Sequence, residues 1–337
     1  MTDMTATFTL NGPVSILVTL GLTLPSITDQ QIAAIVDAAP PGSSVHVAAQ
    51  MRDAYAHAEQ HDVDVILGVL PEKLFSSATK LRWIHCIAAG VDAFLYPAMV
   101  DSDVVMTGEK GLVGGHLADT GFGLLLALTR EIATAIRMGA DGWNHREAMR
   151  ARAIELEGAT MGIIGLGGTG RAMARRAVAF GMDVLAVDAM PIAPSDGVTE
   201  VWSLERLDDL LAASDVVAMC CPLTAQTTNL LDDARFARMK RGAIVVNVTR
   251  GEVIDGDALV RALQSGHVGG AGLDVAPLEP LPASHPLWTF DNVVMTPHTA
   301  GASQLRSIRN VDRFCENLRH ARAGEPLVGL VDKHLGY

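Results

Sequence analysis

The sequence predicts an α/β protein of two domains, built on parallel strands joined by crossover helices. Three observations carry that prediction. The chain has 337 residues, 49% of them hydrophobic, which allows a large interior and is too long for one simple core. Short β-branched or apolar runs alternate with longer helical patterns, as crossover connections between parallel strands require. One of these runs leads directly into a glycine-rich turn and a helix, a junction where backbone can approach a phosphate closely.

Taken in order, VSILVTL reads as a strand and is followed by a helix from Asp29. VDVILGV and LRWIHCIAAG read as further strands, each leading into a short connection. The segment from His116 to Arg137 reads as one long helix, opened by Gly114 and Gly115 and rich in leucine on more than one face. A helix apolar all round has to be buried, here either between domains or against a second subunit. From Ala159 the alternation restarts, with strands at TMGIIG, MDVLAVD, DVVAMCC, AIVVNV, GGAGLDV and NVVMTP and helices over Gly170 to Phe180 and Leu204 to Ala213. Strands this continuously apolar belong to a parallel sheet covered on both faces. No repeat of domain-building length and no low-complexity tract interrupts the pattern.

Charge narrows the partners. With 38 acidic against 26 basic side chains the formal net charge is −12, which repels nucleic-acid phosphates and anionic lipid surfaces. The longest apolar candidate, Gly121 to Leu128, is far below the ~20 residues of a membrane span. The first residues lack the cationic start of a secretory signal. The four cysteines, Cys86, Cys220, Cys221 and Cys315, show no metal-ligand spacing, and an adjacent pair makes a poor disulfide. The expectation is a cytoplasmic protein with no metal, acting on a small molecule.

After the strand MGIIG comes Gly165-Leu166-Gly167-Gly168-Thr169-Gly170, then the helix RAMARRAVAF. The glycines permit a tight turn, and the helix start offers unpaired N–H groups to a pyrophosphate. Any glycine-rich strand-to-helix turn would look similar. Here, however, the next strand, VLAVD, ends in Asp188, where an acid receives the ribose hydroxyls of NAD. Ala189, Met190 and Pro191 add no cation for the 2′-phosphate of NADP. NAD is therefore the expected cofactor, ahead of NADP.

Three later strand ends each deliver one unusual side chain: Arg250 after IVVNVT, Glu279 after GLDVAPL and His298 after VVMTP. Singly, Arg250 and Glu279 read as a surface ion pair and His298 as a turn residue. Beyond the carboxyl ends of parallel strands they can instead converge on a ligand. A ketone receiving a hydride needs a proton at oxygen, which histidine can give. Glu279 would hold the imidazole, and Arg250 offers a planar fork for a carboxylate.

These residues resemble the D-isomer-specific 2-hydroxyacid dehydrogenase family over most of the chain. The resemblance rests on IAAGVD, ELEGATMGIIGLGGTGRAMARRAVAFGM, NVTRGEVID, GLDVAPLEPLP and TPHTAGAS. It implies interconversion of a 2-keto acid and a D-2-hydroxy acid, with Arg250, Glu279 and His298 as the catalytic set. It implies substrate carboxylate binding by the backbone of Ala89, Gly90 and Val91. On the cofactor side it implies Gly168, Thr169, Asp188, Pro222, Thr227, Val248, Thr249, Asp274 and Gly301, with Asp274 at the nicotinamide carboxamide. It also implies a Rossmann-type doubly wound nucleotide domain over about 108–298, inserted into a smaller flavodoxin-like substrate domain over about 1–107 and 299–337. A homodimer built partly on the leucine-rich helix follows from the same resemblance.

Two positions depart from the family pattern: Gly168 stands where arginine is usual, and Asp119 where glutamate is usual. Formate and phosphite dehydrogenases share the fold. The first use glutamine where Glu279 stands and the second a lysine in the substrate loop, where Ala88 and Ala89 stand. A dinucleotide-sensing, corepressor-like binding protein is the non-enzymatic alternative, against which the acidic charge and compact length argue.

Overall fold

The structure, a computed structural model, describes residues 8–88 and 90–337. The substrate-loop candidate Ala89 lies outside the described residues. The chain divides into two compact units, Met1–Val113 with Ala302–Tyr337, and Gly114–Gly301.

In the first unit β1 (Ser15–Thr19), α1 (Asp29–Ala38), β2 (Ser44–Ala48), α2 (Met51–Gln60), β3 (Val65–Gly68), α3 (Glu72–Ser77), β4 (Trp83–Cys86), α4 (Pro97–Val100) and β5 (Val105–Thr107) follow in order. The five strands are parallel, in the order β2-β1-β3-β4-β5, a flavodoxin-like arrangement. β3 and β4 are buried along their whole length, which explains why their sequences carry no polar alternation. α1 starts where Thr28 accepts from the Gln31 backbone and the Gln31 side chain accepts from Thr28, a reciprocal cap that satisfies two orphan donors.

β2 and α2 escape the sequence reading for a physical reason. β2 is an edge strand with only Ala48 buried, and α2 buries only Ala54 and Ala58. Neither carries enough apolar surface to mark a period.

The second unit contains α5 (Gly114–Thr129), α6 (Ile132–Met138), α7 (Arg146–Arg152), β6 (Thr160–Ile164), α8 (Gly168–Ala179), β7 (Asp183–Asp188), β8 (Val201–Ser203), α9 (Leu207–Ala213), β9 (Val216–Met219), α10 (Asp233–Phe236), β10 (Ala243–Asn247), α11 (Gly256–Gln264), β11 (Val268–Leu273) and β12 (Val293–Met295). Its seven strands run parallel in the order β12-β11-β10-β9-β6-β7-β8. This is a doubly wound Rossmann-type sheet whose order reverses between β6 and β9, the crevice where such sheets take ligands. One face packs Leu210, Phe236 and Leu259 from α9, α10 and α11; α5 and α8 cover the other.

The single helix expected over His116 to Arg137 is two helices. Glu131 takes a left-handed φ of 57° between them, Ile154 N–H donates to the Thr129 carbonyl at 2.7 Å, and Arg152 pairs with Glu131 at 2.8 Å. The returning chain thus takes over the last carbonyl of α5, a constraint that no local pattern encodes. The apolar faces of α5 find their burial inside their own unit, with Gly121 against Met173 and Val246 and Leu124 over Gly272.

α12 (Arg306–Ala323) returns to the first unit and packs with α1 over Ile16, Val18, Ile35, Trp83 and Phe314. Leu74 and Met99 line the opposite face. At the start of α12, Arg306 and Asn310 both donate to the buried Glu109 carboxylate, Arg306 Nε at 2.8 Å and Asn310 Nδ2 at 2.6 Å. Among the described residues no helix is long and apolar enough to cross a membrane.

Candidate active site

The glycine-rich turn has distinct steric reasons at its positions. Gly165 has φ +93°, and a Cβ there would lie 2.8 Å from the Cys221 backbone. At Gly170 a Cβ would overlap the Gly165 carbonyl oxygen, and at Gly114 it would overlap the Gly168 carbonyl. These three glycines let the chain pack on itself. Gly167 differs: a Cβ built there meets nothing within 4 Å. The fold does not demand glycine at 167, whereas a pyrophosphate lying on the backbone does. Gly168 and Thr169 begin α8, with the unpaired N–H groups an anion needs.

Asp188 closes β7 beside this turn. Its Oδ2 accepts from Leu166 N–H at 2.7 Å and its Oδ1 from Met190 N–H at 2.9 Å. The two bonds aim the carboxylate across the loop, and each oxygen retains a lone pair for a ribose hydroxyl. Asp119, the departure noted in α5, receives Arg176 Nε at 3.0 Å and so ties α5 to α8.

Arg250, Glu279 and His298 follow the adjacent strands β10, β11 and β12. His298 Nδ1 lies 2.7 Å from Glu279 Oε2, with both side chains partly open to solvent at 45% and 38% exposure. The other carboxylate oxygen, Oε1, accepts from Ala276 N–H at 2.9 Å, so Glu279 cannot turn away without losing a backbone bond. His298 itself sits at φ +53°, a left-handed conformation that costs an ordinary side chain roughly 1–2 kcal/mol. Its N–H donates to the Asp274 carbonyl at 2.7 Å. The Asp274 carboxylate accepts from Thr299 N–H and Ala300 N–H at 2.9 Å and from the Thr296 hydroxyl at 2.5 Å. At 1% exposure, Asp274 is the post around which the histidine turn is wound.

The Arg250 turn has a matching post, and sequence reasoning missed it. Asn247, 1% exposed, donates from Nδ2 to the Arg250 carbonyl at 2.7 Å and accepts from Thr249 N–H at 3.0 Å. The available signal was a polar residue closing the otherwise apolar strand AIVVN. Arg250 Nη1 donates to the Thr249 carbonyl at 3.0 Å. At Gly251 a Cβ would overlap the Ala276 carbonyl, so glycine there lets the arginine turn close onto the loop that carries Glu279.

The remaining cofactor candidates lie along the same sheet edge. Cys220 N–H donates to the Ile164 carbonyl at 2.9 Å, which sets the exposed Pro222 after β9. Thr227 donates from its hydroxyl to the Pro222 carbonyl at 2.6 Å. Val248 is buried and Thr249 half-buried just beyond β10, and Gly301 follows the histidine turn. Gly90 and Val91 belong to the first unit, after β4, with the Val91 carbonyl accepting from Phe94 N–H at 2.8 Å. Among the described residues nothing lies within 4 Å of a Cβ built on Gly167, and Asp188 and the α8 start are turned to the same loop. These residues fit a dinucleotide.

Comparison with known proteins agrees. The D-isomer specific 2-hydroxyacid dehydrogenase, NAD binding domain, matches residues 122–300. A glyoxylate reductase of Korarchaeum cryptofilum is 34% identical over 302 residues, 89% of each chain. A D-isomer specific 2-hydroxyacid dehydrogenase from Xanthobacter autotrophicus, solved with NADPH and MES, superposes with a TM-score of 0.77 at 32% identity, covering 96% of this chain and all of the other. An NADPH-dependent glyoxylate/hydroxypyruvate reductase from Sinorhizobium meliloti, solved with NADP and sulfate, gives a TM-score of 0.75 at 26% identity, with coverages of 96% and 100%.

Proposed function

The chain belongs to the D-isomer specific 2-hydroxyacid dehydrogenase family and interconverts a 2-keto acid and a 2-hydroxy acid with a dinucleotide; on that premise we propose that Arg250, Glu279 and His298 carry the reaction and that the dinucleotide is NAD. The observation behind the catalytic assignment is the 2.7 Å pairing of His298 Nδ1 with Glu279 Oε2. It commits one ring nitrogen to the carboxylate and leaves Nε2 for the substrate.

When bound, the reduced nicotinamide supplies the hydride that goes to C2 of the keto acid. His298 gives the Nε2 proton to the carbonyl oxygen, and Glu279 accepts the Nδ1 hydrogen bond and stabilises the imidazolium before transfer. Arg250 binds the substrate carboxylate with its planar fork and polarises the neighbouring carbonyl. From the family resemblance alone we also assign Gly90 and Val91, in the loop after β4 of the first unit, to substrate binding. In the oxidative direction His298 takes the hydroxyl proton. On this reading Asp274 belongs to the nicotinamide end of the site, with Pro222, Thr227, Val248, Thr249 and Gly301 along the cofactor.

The placement of Asp188 supports NAD: its carboxylate accepts ribose hydroxyls and repels a 2′-phosphate. Glyoxylate is the first substrate to try, because several relatives carry the name glyoxylate reductase. A homodimer fits the large apolar side chains left exposed on the second unit, Ile136 at 76%, Trp143 at 78% and Trp288 at 53%, which a second copy would cover. The four cysteines are free and buried, which fits a reducing cytoplasm.

The test is to mix the protein with NADH or NADPH and, in turn, glyoxylate, hydroxypyruvate, pyruvate and bulkier 2-keto acids, following nicotinamide absorbance. Faster oxidation of NADH than of NADPH is the expected result. Tight dinucleotide binding with no turnover on any keto acid would overturn the catalytic assignment in favour of a sensor.

A further inference from the structure

The loop after β7 carries a second device, which rests on the dinucleotide reading above and deepens it. Arg171 and Arg175 lie one turn apart on α8, the helix that starts in the glycine-rich turn. Both guanidinium groups are engaged by the 193–197 segment. Arg175 Nη1 lies 2.9 Å from Asp196 Oδ1. Arg171 donates from Nη1 to the Ser195 hydroxyl oxygen and from Nη2 to the Ala193 carbonyl at 3.2 Å, and lies 3.9 Å from Asp196 Oδ2. The Ser195 hydroxyl donates to Asp196 Oδ2 at 2.8 Å.

The segment is shaped for this contact. Asp196 and Gly197 both take left-handed backbone, φ 58° and 87°, a turn that aspartate tolerates and glycine favours. A Cβ on Gly197 would overlap the Val178 side chain of α8, so the loop is seated directly on the helix. Asp196 is 19% exposed at its side chain, and Arg175 and Ser195 hold its carboxyl below the usual carboxylate range. Both contacts favour its ionised form.

We propose that Asp196, with Ser195, is a specificity-determining residue that selects NAD over NADP by holding Arg171 and Arg175 against the loop, away from a ribose 2′-phosphate. Asp188 reaches the glycine-rich turn through its bond to Leu166 N–H, so the first turn of α8 and the end of β7 flank the same ribose position. A guanidinium released there would meet a 2′-phosphate with charge-assisted hydrogen bonds. Asp188 excludes that phosphate by its own charge; Asp196 does so by sequestering the cations that would offset it.

Dissociation constants for NADH and NADPH, read from nicotinamide fluorescence on the full chain without substrate, test this. Asp196→Asn should tighten NADPH about tenfold and leave NADH within about twofold, and Ser195→Ala should shift the ratio in the same direction. Adding Arg171→Ala to Asp196→Asn should abolish the gain. An unchanged NADPH-to-NADH ratio in both single variants, with NADH still bound and the circular dichroism unaltered, overturns the proposal. Failure of the wild-type chain to bind either dinucleotide would overturn the underlying reading instead.

Discussion

His298 combines two demands on one residue. Its backbone is held left-handed at φ 53°, while its ring is fixed by Glu279 at 2.7 Å. The loop therefore supplies orientation before any substrate arrives, which is what proton transfer requires of a general acid. His298→Gln should cut turnover by ~10²-fold or more while leaving NADH affinity nearly intact; turnover near wild type removes the role assigned to it. If Arg250 binds the substrate carboxylate as proposed, Arg250→Ala should raise the keto-acid KM as well as lower kcat. The glycine-rich turn allows a cleaner contrast. Gly167→Ala adds a methyl group to open space, so thermal stability should hold while NADH binding weakens. If stability falls and binding holds, the pyrophosphate does not lie on that backbone.

Elements fit together here through close backbone approaches. α5 meets the glycine-rich turn at Gly114, whose missing side chain makes room for the Gly168 carbonyl. Gly114→Ala should therefore destabilise the second unit and weaken dinucleotide binding together, the opposite signature to Gly167→Ala. The post under the histidine turn belongs to the same scale. Asp274→Ala strands three donors, Thr296 Oγ1, Thr299 N and Ala300 N, at roughly 1–3 kcal/mol each when buried. The expected outcome is a lowered unfolding midpoint with loss of turnover although His298 is present. Unaltered stability would mean the turn is held by something else.

At the scale of the whole molecule, stability carries a signature of buried ionisable groups. His85, fully buried in β4, lies 2.9 Å from the Thr107 hydroxyl, and burial pushes its pKa down to about 3. The unfolded chain binds that proton near pH 6.5, so below it the unfolded state holds more protons than the folded one. Stability should fall by about 1 kcal/mol per pH unit from pH 6.5 toward 3 through this group alone. Denaturant midpoints at pH 7 and pH 5 measure this, and His85→Gln should flatten the difference. An equal pH dependence in the variant would assign the loss elsewhere. The first unit also holds the buried Glu109 carboxylate, made tolerable by Arg306 and Asn310, because a buried charge survives only when paired.

What the sequence determined by itself is whatever short-range pattern encodes. Continuous apolar strands, the glycine-rich turn, Asp188 at a strand end and Arg250, Glu279 and His298 after three successive strands are all local, and all are legible in order. The tertiary structure decided the rest. It ended α5 at Thr129 by bringing Ile154 back to that carbonyl. It added β2 and α2, whose burial is too slight to leave a period, and it made Asn247 and Asp274 the supports of two turns. It also seated Asp196 on the arginines of α8. The end of α5, the Asp274 post and the Asp196 contact depend on groups more than twenty residues apart meeting at hydrogen-bond or ion-pair distance, and such a meeting leaves no mark in the spacing of residues along the chain.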